Sequence, residues 1–237
     1  MSTQIINKVK DAQDKWEYWN DLGAQARAKI LQSWSDLMST EVALGETSAS
    51  IADYQIKLGL PLIADEKLMS GPTGESNHLY TSGRGLFVVC GSESAPATAF
   101  IGMITTALLA GNCIILSLPE SKSAVAEKIV STLLLAGLSK NVVQIANPNA
   151  AQALINDTVT AGVLFAGESA EAIEINQQLA SRKGLLAQLI SETDLSLLSH
   201  ITDSYFILRF ITEKTRTINI SAIGGNAALL ALGSGDI

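Results

Sequence analysis

From Leu86 to Ile190 short continuous apolar runs alternate with longer helical patterns, and nothing else in the sequence limits the fold as tightly. The runs Leu86–Cys90, Cys113–Leu118, Val142–Ile145, Gly162–Phe165 and Leu185–Ile190 are of strand length and carry almost no charge. Between them the spacing predicts helices over about Pro96–Ala110, Ser123–Leu135, Ala150–Ile155 and Ala170–Ala180. Strands that are apolar throughout, separated by helices, imply a parallel sheet buried on both faces. The expected fold class is therefore α/β, with a Rossmann-like unit over residues 71–198.

The flanks follow other patterns. Trp16, Trp19, Leu22 and Gly23, then Ile30, Leu31, Trp34, Leu37 and Met38, recur at three- and four-residue spacings. They predict two amphipathic helices broken near Asp21–Ala24, and a third helix covers Ser48 to Leu58, ending at Gly59 before Pro61. Residues 1–70 thus form a helical segment packed on the core. Gly71-Pro72-Thr73-Gly74 is a turn, Asn77 to Thr81 is extended, and a second turn falls at Ser82–Gly85. At the other end, Tyr205–Thr212 and Arg216–Ile220 read as two strands around Glu213-Lys214-Thr215, a β-hairpin flap within residues 199–237. Gly224-Gly225-Asn226 makes a further turn before the apolar run Ala227–Leu232.

Several function classes are excluded by composition. The chain has 237 residues, 47% hydrophobic and 16% charged, which is too apolar for disorder. Its net charge of −7 comes without any Lys/Arg cluster, so nucleic acid is not an expected partner. Ser94 to Pro119 lacks charge and is nominally long enough to cross a bilayer. Gly111-Asn112 interrupts it, however, so it reads as a buried helix, a turn and a buried strand. No apolar signal core follows the N-terminal charges, and a cytoplasmic location is expected. Cys90 and Cys113 sit in apolar company without a basic neighbour and read as packing residues. His78 and His200 have no partner at ligand spacing, so no metal site is expected.

Gly71-Pro72-Thr73-Gly74-Glu75-Ser76-Asn77 followed by Gly83-Arg84-Gly85 resembles the aldehyde dehydrogenase superfamily, in particular the pyrroline-5-carboxylate dehydrogenase module of bacterial proline utilisation A proteins. Ala110-Gly111-Asn112, Ala136-Gly137-Leu138 and Phe165-Ala166-Gly167 follow in that family's order and spacing. Arg216-Thr217-Ile218-Asn219 with Gly224-Gly225-Asn226-Ala227 is similar to its C-terminal end. The resemblance implies a truncated member. The family's catalytic domain, which carries the nucleophilic cysteine, is expected between the cofactor domain and the flap. Here Leu185–Leu198 runs almost directly into the flap.

The resemblance also implies that the site is degenerate. Ser94 stands where the family has its oxyanion-stabilising asparagine. Ser117 replaces a lysine that holds the adenosine ribose, and Glu168 replaces the phosphate-contacting serine after Gly167. A carboxylate at that helix start repels a pyrophosphate. Glu120 keeps an acidic position of the cofactor site, and Glu192 matches the general base. Glu192 and Ser94 are thus relic catalytic positions, while Ser117, Glu120, Gly167 and Glu168 are a degenerate cofactor site. No cofactor is expected, and NAD is the one implied if any binds. In the family the flap reaches onto a second subunit, which implies a homodimer exchanging hairpins through Phe206, Leu208, Phe210, Arg216 and Ile218. The implied role is a non-catalytic assembly module, with a proline utilisation enzyme as a further partner. Two alternatives stand beside it: an NAD-dependent 1-pyrroline-5-carboxylate (glutamate semialdehyde) dehydrogenase, and a nucleotide-binding sensor.

Overall fold

A computed structural model describes residues 2–41, 44–184 and 186–219. Helix α1 (Thr3–Asp21) starts at Ser2, whose side chain accepts a hydrogen bond from the Ile5 amide. Gly23, at φ 83°, makes the break before α2 (Ala24–Ser39). Helix α3 (Gly45–Ile63) runs on past its expected end at Gly59 and carries Pro61 in its last turn. Gly59 does not break this helix. It allows close approach, since a Cβ there would lie 2.7 Å from Ile207 Cδ1.

The alternating region folds as expected. Strand β3 (Leu86–Gly91) is followed by α4 (Ala97–Leu109), β4 (Cys113–Leu116), α5 (Ser123–Leu135) and β5 (Val143–Ile145). The chain then returns through α6 (Ala151–Ile155) to β6 (Thr160–Ala166), α7 (Ser169–Ser181) and β7 (Gln188–Glu192). All five strands are parallel, in the order β5-β4-β3-β6-β7. Helix α4 is buried on all sides, which explains its lack of charge and of amphipathic patterning. Among the described residues no helix is long and apolar enough to cross a membrane.

Two buried side chains fasten the first helices to the end of α4. Trp19 Nε1 donates to the Leu108 carbonyl at 3.1 Å, and Arg27 Nε to that of Leu109 at 2.9 Å. Those carbonyls belong to the last turn of α4, where the i to i+4 partners run out, and that of Leu108 also accepts from the Gly111 amide at 3.0 Å. Burial lowers the Arg27 pKa to about 10, although nearby Asp21 works in the opposite direction.

A second, three-stranded antiparallel sheet extends from this body, ordered β1 (Lys67–Met69), β2 (Glu75–Gly83) and β8 (Ile211–Asn219). Here the structure corrects the sequence reading. Glu213-Lys214-Thr215 is no turn: it lies within β8 and pairs with Thr81, Tyr80 and Leu79. Phe206–Phe210 is a short 3-10 helix, not a strand. Two forces explain this. The aromatic rings are drawn into the core, with Phe210 5.7 Å from Phe87 and 5.0 Å from Phe206 between centroids. The long edge of β2 then pairs with all nine residues of β8. Strand β2 also continues through Ser82 and Gly83, into the first half of the expected turn. The expected turn at Gly224-Gly225-Asn226 and the run Ala227–Leu232 lie outside the described residues.

Candidate functional site

The chain builds the sheet outward from β3 through β4 to β5, then crosses back to add β6 on the other side of β3. In such sheets the crevice lies at the carboxyl ends of the strands, where the direction of winding reverses. A cleft of about 290 Å3 opens at that place. Cys90, Gly91 and Phe165 lie at its β3 and β6 side, Ser117 at the end of β4, and Ile155 and Ile175 on α6 and α7. Gly91 permits this close approach, because a Cβ there would sit 2.4 Å from the Ala166 carbonyl oxygen.

The residues singled out in the sequence lie along this same edge, and Ser117, Gly167 and Glu192 among them are engaged in holding the fold. Ser117 is buried and its hydroxyl donates to the carbonyls of Asn147 and Pro148, at 2.9 and 3.2 Å. Ser94 is exposed and shares a hydrogen bond of 3.2 Å with Ser92. Gly167 donates its amide to the Glu192 carbonyl at 3.1 Å, which continues the β6–β7 pairing. A Cβ on Gly167 would meet Ser92 Oγ at 2.3 Å. Glu168 is the exposed N-cap of α7 and makes no side-chain capping hydrogen bond, while Glu120 is exposed in a 3-10 turn after β4.

Glu192 has a definite task. It is fully buried at the end of β7. One carboxylate oxygen accepts from the Asp194 amide at 3.0 Å, and the other from the amides of His200 and Ile201 at 2.8 and 3.0 Å. It therefore clasps the loop that follows β7. Asp194 organises the same loop from outside: its carboxylate accepts from Ser199 Oγ, the Leu197 amide and Ser196. Those bonds, led by Ser199, lower its pKa to about 2.

Both cysteines are buried. Desolvation pushes the Cys90 thiol up to about 12, with a further push from the Glu171 carboxylate. Burial alone pushes Cys113 up to about 12. Neither is a thiolate near neutral pH.

The residues expected at an interface divide. Phe206 and Phe210 are buried in this chain's own core, a correction to the expectation that they meet a partner. Burial removes them because the 3-10 helix sets Phe210 against Phe87 and Phe206 against Phe210. Leu208, from the same turn, is 41% exposed. Arg216 is exposed and Ile218 half-buried, both on β8. Arg216 Nη2 donates to Glu66 Oε1 at 2.6 Å, and the same oxygen lies 3.1 Å from His78 Nδ1. His78 Nε2 in turn faces Ser76 Oγ at 2.7 Å. This brace across the ribbon was missed in the sequence, although the alternation of Ser76, His78 and Tyr80 along one strand puts them on one face.

The nicotinamide dinucleotide implied by the resemblance does not fit these residues. The cleft lining includes no charged side chain. The Ser117 hydroxyl is committed to backbone carbonyls, and a carboxylate stands at the α7 N-terminus, where backbone amides would otherwise receive a phosphate.

Comparison with known proteins agrees with this fold. The sequence profile of the aldehyde dehydrogenase family matches residues 40–194. Among curated proteins, an N-succinylglutamate 5-semialdehyde dehydrogenase of Novosphingobium aromaticivorans is 36% identical over 107 residues, 44% of this chain and 23% of that protein. The enzyme of the same name from Photorhabdus laumondii is 27% identical over 201 residues, covering 76% of this chain and 41% of its own length. The chain therefore spans well under half of the curated relatives it matches. Among solved structures, a Bradyrhizobium japonicum proline utilization A (PutA) protein aligns at TM-score 0.74 and 29% identity, over 80% of this chain and 22% of that one. A methylmalonate-semialdehyde dehydrogenase of Oceanimonas doudoroffii shares the fold at TM-score 0.68 and 17% identity, over 78% of this chain and 42% of its own. With its parallel sheet, N-terminal helices and C-terminal antiparallel strand, the chain belongs to the aldehyde dehydrogenase family.

Proposed function

We propose that the protein is a non-catalytic aldehyde-dehydrogenase-like module of proline catabolism that acts through assembly. It pairs with a second copy across the β1–β2–β8 ribbon, or lays that ribbon on a proline-oxidising enzyme. One observation carries this reading: Glu192 leads through residues 193–210 directly into β8, and its carboxylate is spent on three backbone amides. A general base bound in that way has no free face for a substrate. Covalent aldehyde oxidation needs a thiolate, and both cysteines of the chain are buried thiols. The likeness to PutA structures supports the proline-linked context.

The ribbon supplies the surface. Strand β1 is exposed throughout, with Leu68 at 73%, and β8 pairs on one side with β2. Sheet edges of this kind invite pairing with another chain. Leu208 and Ile218 add apolar area, and Arg216 adds a charge held in place by Glu66. The reading is tested by incubating purified protein with glutamate semialdehyde and NAD. No NADH should form, alone or with Cys90→Ala as a control. Turnover that Cys90→Ala or Cys113→Ala abolishes would contradict it.

A further inference from the structure

We infer that a cavity between the start of α2 and the end of α3 binds a small free amino acid as its zwitterion. The inference is independent of the assembly reading and concerns a different part of the molecule from the crevice at the strand ends. The cavity measures about 160 Å3. Gly23, Ala24 and Arg27 contribute to its wall from the start of α2, and Ala64, Asp65 and Glu66 from the segment that leaves α3. The α2 side suits a carboxylate. Its N-cap is Gly23, so no side chain satisfies the first amides of the helix, and the dipole there is positive. Arg27 is only 5% exposed. Its Nε donates to the Leu109 carbonyl and its Nη1 to those of Trp19 and Asn20, while Nη2 has no partner among the described residues. A guanidinium with N–H groups to spare beside open helix amides is a carboxylate receptor.

The α3 side suits an ammonium. Helix α3 closes at Ala64 with no basic residue in its last turn, so its negative end is unopposed. Asp65 follows it, exposed, and its carboxylate has no partner among the described residues. Glu66 adds a second carboxylate, one of whose oxygens is taken by Arg216 and His78. Among the described residues no ion pair joins Arg27 to Asp65 or Glu66, so opposite charges line one cavity without neutralising each other. A simple anion drawn to α2 meets the carboxylates, and a simple cation drawn to the carboxylates meets Arg27. A zwitterion satisfies both. Size limits the choice, since about 160 Å3 is the room of about five waters at ~30 Å3 each, enough for a molecule of a few heavy atoms. The Tyr80 hydroxyl, also on the wall and without a hydrogen bond among the described residues, adds one further donor and acceptor.

The test titrates the whole protein with glycine, L-alanine, propionate and L-alaninamide, by calorimetry for affinity and by amide NMR for location. Glycine and L-alanine should bind at millimolar concentration or below and shift the Gly23 and Ala24 amide resonances. Propionate lacks the ammonium and L-alaninamide the carboxylate, and each should bind at least tenfold more weakly than L-alanine. Asp65→Asn should weaken L-alanine several-fold and leave propionate unchanged. Because that side chain is exposed and unpartnered, the melting temperature of the free protein should not move. Arg27 also holds the Leu109 carbonyl, so the carboxylate end is read from the ligand pair and not from a variant that could fail to fold. The inference is overturned if neither amino acid shifts the Gly23 and Ala24 amides, or if propionate or L-alaninamide binds as tightly as L-alanine. It is equally overturned if Asp65→Asn leaves L-alanine where it was.

Discussion

Asn112 Nδ2 donates to the Phe210 carbonyl at 2.9 Å, joining the turn before β4 to the foot of β8 across 98 positions of sequence. The same side chain donates to the Ala107 carbonyl and accepts from the amides of Arg84 and Gly85, at 2.6 and 3.1 Å. One buried amide thus fixes the end of α4, the entry to β3 and the root of the ribbon. Removing it leaves several buried groups unpaired. Asn112→Ala should cost about 3 kcal/mol, read from the urea midpoint. Amides of β8 should then exchange faster than those of β3 and β6 in hydrogen-exchange measurements.

Glu192→Gln tests the clasp on the loop after β7. The neutral amide keeps the shape but can face the three N–H donors with only one acceptor oxygen. A loss of about 2 kcal/mol is expected, with enhanced exchange at His200 and Ile201. An unchanged stability would mean that the carboxylate does not hold the loop.

The thiols should be silent in the native state. Cys90 and Cys113, both pushed up to about 12, should not react with a disulfide exchange reagent at pH 8 until the protein is unfolded. Two thiols should then appear, the full complement of the sequence. Rapid titration of one thiol in folded protein would reopen a nucleophilic role.

Asp194 gives a pH signature. Its folded pKa of about 2 lies below the ordinary value of 3.8, so its hydrogen bonds favour the charged form. The contribution to loop order is fully present above pH 3.8 and is lost as pH falls from there through about 2. Carboxyl NMR should follow that titration, and Asp194→Asn should remove the acid-dependent shift of the Leu197 amide.

Much of the architecture was legible because apolar runs and helical spacing are local signals. The expected Ser123–Leu135 helix is observed with those bounds, and every strand of the parallel sheet falls within a few residues of its expected place. The flap was not legible in the same way. Phe206, Ile207, Phe210 and Ile211 are the buried members of their run, and that spacing is helical, whereas a strand would alternate. Strand β8 is mostly polar and extended because β2 offers it a nine-residue edge, a partner that lies far away in sequence. At the site, motif positions located the right edge of the sheet. What Glu192 does there depends on donors from His200 and Ile201, which no spacing rule reveals.

Assembly through the ribbon is the central claim, and sedimentation equilibrium of wild-type protein beside Leu208→Lys/Ile218→Lys measures it most directly. Both substitutions replace apolar side chains that the fold leaves partly uncovered, so the circular dichroism spectrum should not change. The account predicts a dimer for the wild type and a monomer for the double variant. A wild type that stays monomeric at the highest attainable concentration and gains no mass with a proline-oxidising enzyme would contradict it, as would a double variant that dimerises unchanged.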